Sequence, residues 1–391
     1  MHIVVLFYNI GGYHAARLRA AYQVCQEKGW QLTAIQVTDN TKEHPWGSIE
    51  NEITFSIHTL LPIDTTDYSI DRSFSSPLAA SLITGYLEKI KPNVVVIPGW
   101  GFPISRSALF WCKRNHIPAI LMSESKWDDE KRFWWKEQLK SWLYVRKYDA
   151  AIVGGKLHHD YLIKLGFPAE KIFFGYDVVD NDYFTKGADA ARQNPTATRE
   201  YQPKIPAKPY FLVVTRLIKR KNVLNLVKAF SVYRQQVKEN EAWDLVICGS
   251  GEEEETICNL IVAKGLNHCV HLPGFVTYQE VVYWYGLAAA FIHPALQEQW
   301  GLVVNEACAA RLPVLVSRKC GSFSDLVVEE KNGFGFDPHN IKQIAQLMIQ
   351  LSSIGIDLHG MGKFSFDHIQ KYSPQVFAES FYNSVKSVTS N

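Results

Sequence analysis

A pair of doubly wound α/β domains facing an interdomain cleft is the fold class that this sequence predicts. Two observations carry the expectation. Short β-branched runs alternate with longer stretches of helical period, and the alternation stops and restarts across a polar segment near mid-chain. A length of 391 residues also exceeds what a single hydrophobic core usually serves.

The first series opens on MHIVVLFYNI, which has no basic leader and no small-residue cleavage site, and which reads as a strand over residues 3–8. Further strands are expected at 31–37, 93–97, 119–122 and 150–153. A helix over 12–28 should stop at Lys28-Gly29. These elements make a first domain of residues 1–185. From 186 to 208 the text is polar, rich in Pro and Ala and without sustained period, so it reads as a linker. A second series then places strands at 210–215, 243–248, 268–272, 290–293, 313–317 and 333–336, with helices over 222–235 and 278–286. That is a domain of residues 209–370. A last helix, over 373–388 within the segment 371–391, is expected to cross back to the first domain.

Composition narrows the function. Basic and acidic residues nearly balance, 41 against 39, so long-range attraction to nucleic acid is not indicated. The seven cysteines are odd in number and form no C-x-x-C pair, which suits reduced thiols in a cytoplasmic protein and neither a disulfide framework nor a zinc site. No run approaches the roughly 18 apolar residues of a bilayer span. The expected location is the cytoplasm, with peripheral contact at the inner face of the membrane left open. That contact would fall to the tryptophan-rich, basic stretch 126–148. The competing and preferred reading makes the stretch an amphipathic helix packing Trp134, Leu139, Trp142 and Leu143 into the core.

The most informative segment is HPALQEQWGLVVNEACAARLPVLVS, residues 293–317. A strand should end near His293-Pro294, a loop then carries Glu298, and Gly301 opens a helix running through Ala310 with Glu306 in its early turns. A helix start offers unpaired N–H groups and a partial positive charge to a pyrophosphate. Glu298 suits sugar hydroxyls, and Glu306 suits the two hydroxyls of a ribose. In FLVVTRLIKRKN, residues 211–222, a strand delivers Arg216 to a loop and Lys221 follows five residues on. Two such cations neutralise a diphosphate without a metal. Lys219 and Arg220 read as solvated charge.

Glu298 and Glu306, framed by Pro294, Gly301-Leu302, Pro313-Val-Leu-Val-Ser317 and Asn332-Gly333-Phe334, resemble the paired-glutamate signature of family-4 retaining glycosyltransferases, group 1 enzymes of the GT-B fold. Arg216 and Lys221 are similar to that family's Arg-Leu-x-x-x-Lys motif. The resemblance implies retaining, metal-independent transfer of a sugar from a nucleotide diphosphate, with UDP the expected nucleotide. The hydroxyl acceptor would be a saccharide, a lipid-linked acceptor or another glycoconjugate. It implies no cofactor and no metal. It also gives Gly12, Gly249, Val276, Gly301, Leu302 and Val303 places around the donor, Val276 lying where the family's backbone reads the base. Glu298, Arg216 and Lys221 are the implied catalytic groups.

The first domain fits less closely. Gly11-Gly12 after the first strand resembles the family's amino-terminal glycine loop, with His14 and Arg17 on the acceptor side. Where many relatives place a histidine, this chain has Ser123, Glu124 and Ser125, so Glu124 is the candidate near the acceptor hydroxyl. Asp180-Asn-Asp182 spells D-x-D, yet its position suits the turn out of the first domain rather than a metal site. Two other readings stand beside transfer. One is a non-catalytic nucleotide-sugar-binding protein of the same fold. The other, an NAD(P)-dependent oxidoreductase, wants a G-x-G-x-x-G that Gly249-Ser-Gly251 does not complete.

Overall fold

The computed structural model describes residues 1–38, 55–61 and 77–389. The chain divides into two compact units, Met1–Asp180 with Tyr372–Asn391, and Asn181–Lys371.

The first unit runs β1 (His2–Phe7), α1 (Gly12–Glu27), β2 (Gln31–Gln36), β3 (Ser56–Thr59), α2 (Pro77–Ile90), β4 (Val94–Pro98), α3 (Pro103–Arg114), β5 (Ala119–Ser123), α4 (Trp134–Leu143), β6 (Ala150–Val153), α5 (Lys156–Lys164) and β7 (Ile172–Phe174). Among the described residues these strands form a sheet of order β3-β2-β1-β4-β5-β6-β7. Every pairing is parallel. Parallel strands are covered on both faces, so each reads as an unbroken apolar run. In β1, Val4 and Leu6 enter one core while Ile3, Val5 and Phe7 enter the other.

The second unit begins with α6 (Asn181–Gln193) and α7 (Pro195–Tyr201), in the stretch read as a linker. The reason for its misleading texture is the face it buries. Gly187 lies where a Cβ would come within 2.6 Å of Val282, and Gly286 where one would come within 2.6 Å of Ala191. The helix thus docks largely through small residues, and glycine and alanine do not mark a core face as large apolar residues do. Then follow β8 (Tyr210–Val214), α8 (Val223–Gln236), β9 (Asp244–Cys248), α9 (Glu254–Ala263), β10 (Val270–Gly274), α10 (Tyr278–Leu287), β11 (Ala290–His293), α11 (Leu302–Ala309), β12 (Val314–Ser317), α12 (Phe323–Leu326), β13 (Gly333–Phe336), α13 (Ile341–Ser352) and α14 (Leu358–Ile369). The sheet order is β10-β9-β8-β11-β12-β13, all parallel. Chain order reverses between β8 and β11, and the crevice at such a reversal is where sheets of this class bind ligands.

The last helix, α15 (Pro374–Thr389), packs on α1 of the first unit, its Phe377, Phe381 and Val385 joining Leu18, Ala21 and Cys25 in that core.

Helix α4 corrects the preferred sequence reading. Trp134, Leu139 and Trp142 are 75%, 50% and 68% exposed, and Leu143 is only partly covered. The buried positions of α4 are Glu137 and Ser141. Glu137 draws the helix inward by polar contacts instead, with Lys140 Nζ at 2.8 Å, Arg132 Nη1 at 3.4 Å and the Tyr161 hydroxyl. A buried carboxylate with three donors turned the helix over.

Candidate functional site

Two loops at the carboxyl ends of β8 and β11 build the site of the second unit. After β8 the chain passes Thr215 and Arg216 into a single 3-10 turn at Lys219–Lys221. Asn222 closes that turn in the left-handed region at φ 63°, a conformation asparagine tolerates better than most residues. Its buried amide donates to Pro294 O at 3.0 Å and Pro338 O at 2.8 Å, which pins the Lys221 turn to the end of β11. Leu296 N donates to Arg220 O at 2.8 Å and ties the same two loops again.

From the other side the turn after β9 presses on the Arg216 loop. Leu217 N donates to Ser250 O at 2.8 Å, and Gly249, at φ 149°, lies so close that a Cβ there would overlap the Thr215 carbonyl. Glycine is required at 249 by this approach of backbone to backbone.

The two loops meet through side chains. Lys221 Nζ donates to Glu298 Oε2, and so does His293 Nε2, at 3.2 Å. His293 is fully buried at the end of β11, and Glu298 is 8% exposed. Gly301, at φ 95°, has no side chain to obstruct this meeting. A Cβ there would stand 2.9 Å from Cys320 Sγ, 3.2 Å from Glu298 Cγ and 3.4 Å from His293 Nε2. Burial alone would raise the Glu298 carboxyl, but the His293 hydrogen bond and the Lys221 charge overcome it and hold the group well below the usual carboxylate range. Burial opposes charge on His293 as well, and hydrogen bonds with Cys320 and Glu298 reverse that, lifting the imidazole to about 9.

Gly301 is also the residue from which α11 starts, with Leu302 and Val303 in its first turn and partly exposed. Glu306, one turn in, is buried and accepts from the Tyr285 hydroxyl at 2.7 Å. Trp300 Nε1 donates to Asn305 Oδ1 at 2.8 Å and steadies the helix start. Lys221 and Glu298 are therefore in contact, Arg216 stands on the adjoining strand end, and Glu306 is held to α10 through Tyr285. Val276 follows β10, beyond Gly274 and the exposed Phe275.

Residues 196–366 match the family model of glycosyl transferases group 1. Over those residues the chain is similar to the group 1 glycosyltransferases. Curated relatives agree over that half. The chain is 27% identical over 169 residues to the alpha-monoglucosyldiacylglycerol synthase of Acholeplasma laidlawii, covering 43% of this chain and 41% of that one. It is 30% identical over 176 residues to an uncharacterized glycosyltransferase of Methanocaldococcus jannaschii, covering 45% and 44%. The chain thus spans less than half the length of these relatives. Solved structures extend the likeness of fold to the whole chain. A glycosyltransferase from Rickettsia africae superposes with a TM-score of 0.75 at 16% identity, covering 100% of this chain and 99% of that one. The Anabaena HepE protein crystallised with UDP superposes at 0.73 and 15%, covering 99% and 100%. The fold is GT-B, two Rossmann-like α/β units.

The first unit, outside the group 1 match, holds the acceptor-side candidates. Gly11 precedes α1, and its N–H donates to His14 Nδ1 at 3.3 Å, while the His14 ring lies 4.6 Å from that of Phe7. Gly12 opens the helix. Arg17 does not face outward from it. The guanidinium is buried, donating through Nε to Val178 O at 3.3 Å and lying 4.7 Å over the Tyr176 ring. Ser123 is buried at the end of β5, its Oγ accepting from Ser125 N at 3.3 Å. Between them Glu124, half-buried, lies near enough to the fully buried Asp177 for its charge to act on it. Burial first, and then the Glu124 charge, push the Asp177 carboxyl far above its ordinary value despite Arg17. Asp180 pairs with Arg19 at 2.8 Å and Asp182 with Lys186 at 3.5 Å. Among the described residues no group of three or more His, Cys, Asp or Glu side chains could hold a metal ion.

Sequence reasoning passed over His293 and Asp177. His293 carried a signal nonetheless, as a polar residue closing an otherwise apolar strand five positions before Glu298.

Proposed function

We propose that the protein is a retaining glycosyltransferase that moves a sugar from a nucleotide diphosphate, UDP by preference, to a hydroxyl acceptor in polysaccharide, glycolipid or other glycoconjugate synthesis. The observation that carries this reading is the contact of Lys221 and Glu298 beside the start of α11, at the strand reversal of a group 1 domain. Transfer demands that charge on a departing diphosphate be neutralised. Arg216, Lys221 and the N–H groups of Gly301, Leu302 and Val303 supply that in one place. Glu298, kept ionised by its two cationic neighbours, accepts from the donor sugar's hydroxyls. Glu306 takes the ribose, the backbone at Val276 the base edge, and Gly249 and Gly12 let backbone approach the donor closely. The leaving phosphate receives the acceptor's proton as the new glycosidic bond forms on the face it vacates, and Glu124 orients that hydroxyl. The acceptor side takes Gly11, His14, Ser123 and Ser125, Arg17 being buried against Val178 and Tyr176. Two names among the similar proteins favour UDP and a lipid acceptor, a glucosyldiacylglycerol synthase and a protein crystallised with UDP.

A lipid-linked acceptor also suits α4. Its Trp134, Trp135 and Trp142 are exposed, the Lys136 ammonium lies 5.4 Å over the Trp135 ring, and that of Lys131 lies 5.9 Å over the Phe133 ring. Aromatic bodies with lysine heads are the composition of a helix lying in an anionic lipid interface.

The deciding experiment is a thermal-shift screen of UDP-, GDP- and ADP-sugars with and without EDTA, followed by donor hydrolysis. A shift with a UDP-sugar that survives EDTA, and slow release of the free sugar, are expected. No response to any nucleotide sugar would end the reading.

A further inference from the structure

The polar contacts of the Glu298 carboxylate are asymmetric. Lys221 and His293 both donate to Oε2. The His293 ring is fully buried, and its far nitrogen, Nδ1, has no hydrogen-bond partner among the described residues. Everything polar that supports the ring is therefore on its Nε2 edge. The titratable groups facing that edge are Glu298, from the loop after β11, and Cys320, from the loop after β12, with the Lys221 ammonium beyond Glu298. Cys320 is itself committed, its thiol donating to Trp300 O at 2.8 Å.

We propose that His293 is a positioning residue for Glu298, a buried ring that with Lys221 clamps Oε2 and leaves Oε1 to take the hydroxyls of the donor sugar. The inference rests on the donor role given to Glu298 above, and adds the device that fixes it. A lone lysine on a flexible stem would let the carboxylate rotate and would follow the diphosphate when the donor arrives. The imidazolium ends a rigid strand, so the carboxylate keeps its orientation as Lys221 turns to phosphate. Uridine diphosphate lacks the sugar, so the clamp should govern binding of the nucleotide sugar and leave binding of the nucleotide nearly alone.

The dependence is mutual. Remove the carboxylate, and the Cys320 contact alone is left to oppose burial of the ring. The test is a 15N-histidine NMR titration of the full chain with variants, read beside donor kinetics. In the wild type both His293 nitrogens should stay protonated until pH about 9. In Glu298→Gln the ring should titrate well below that value. In His293→Gln the KM for UDP-glucose hydrolysis should rise about 10-fold, with the Kd for UDP changed less than about twofold and the alkaline limb of the pH profile gone. His293 titrating below pH 7 in the wild type would overturn the clamp. So would equal weakening of UDP and UDP-glucose in His293→Gln. Failure of the wild type to hydrolyse any nucleotide sugar would instead defeat the functional reading, while the titration would still decide the His293–Glu298 pair. Should His293→Gln not fold, the wild-type and Glu298→Gln titrations suffice.

Discussion

Lys221 and Glu298, 77 positions apart in the chain, share a hydrogen bond that joins the loop after β8 to the loop after β11. Both side chains are nearly buried, 12% and 11% exposed. A partly dehydrated ion pair of this kind costs more to break on one side than it contributes whole. Lys221→Ala should therefore lower melting temperature as well as activity. Loss of one leaving-group stabiliser typically costs about 100- to 1000-fold in rate. The same range is expected for Arg216→Ala, and donor hydrolysis measured on both variants gives the comparison.

Stability should carry the signature of His293. Its folded value, about 9, lies above its ordinary 6.5, so the charged form is favoured by folding. That contribution is complete below 6.5 and is lost as pH rises through about 9. Glu298 is shifted the other way, so its share is present above its ordinary 4.5 and fades only in strong acid. Melting temperature followed between pH 6 and 10 should fall by several degrees more in the wild type than in His293→Gln.

Asp177 should keep its proton to higher pH than an ordinary aspartic acid, because burial and then the Glu124 charge disfavour its ionised form. For an acid raised on folding, the folded state binds the extra proton, so stability declines as pH climbs above the ordinary 3.8. Asp177→Asn should flatten that decline and leave stability at pH 7.5 within about 1 kcal/mol. Glu124→Gln should keep donor hydrolysis and lower transfer to acceptor. Unchanged transfer would remove Glu124 from the chemistry.

Gly249→Ala should unfold the site locally. The added methyl meets the Thr215 carbonyl, and φ 149° is strained for any side chain. A loss of about 2–3 kcal/mol is expected by urea titration. UDP affinity should fall too, because the displaced backbone carries Arg216.

Helix α4 separates two kinds of tryptophan-rich helix. Trp134→Ala with Trp142→Ala should leave stability within about 0.5 kcal/mol per site, since both are mostly exposed. Co-sedimentation with vesicles containing anionic lipid should be lost. Glu137→Ala should do the reverse, destabilising by about 3 kcal/mol by stranding Arg132 and Lys140 around Tyr161. Vesicle binding by the double variant equal to the wild type would refute the lipid contact.

Much of the fold was legible because parallel strands are covered on both faces and therefore announce themselves locally. Strands at 150–153, 290–293 and 333–336 came out at the residues expected. The short β3 and β7 were missed. β3 is only partly buried, and β7 is exposed at Phe174, so neither shows the unbroken apolar run of the inner strands.

The pattern put Glu298 in a loop after a strand and Lys221 just before a helix, where the structure has them, since each is set by its own strand, turn and helix start. What α4 buries, and what holds Glu298, were beyond local pattern. Hydropathy assigns tryptophan to the core and glutamate to water, yet the order was inverted by Arg132, Lys140 and Tyr161, which give Glu137 more than solvent does. The His293 imidazole likewise is lifted to about 9 only because folding brings a carboxylate from five residues on and a thiol from the next loop to one ring edge. Periodicity records what each residue prefers alone. The charge of a buried group depends on partners that only the folded chain supplies.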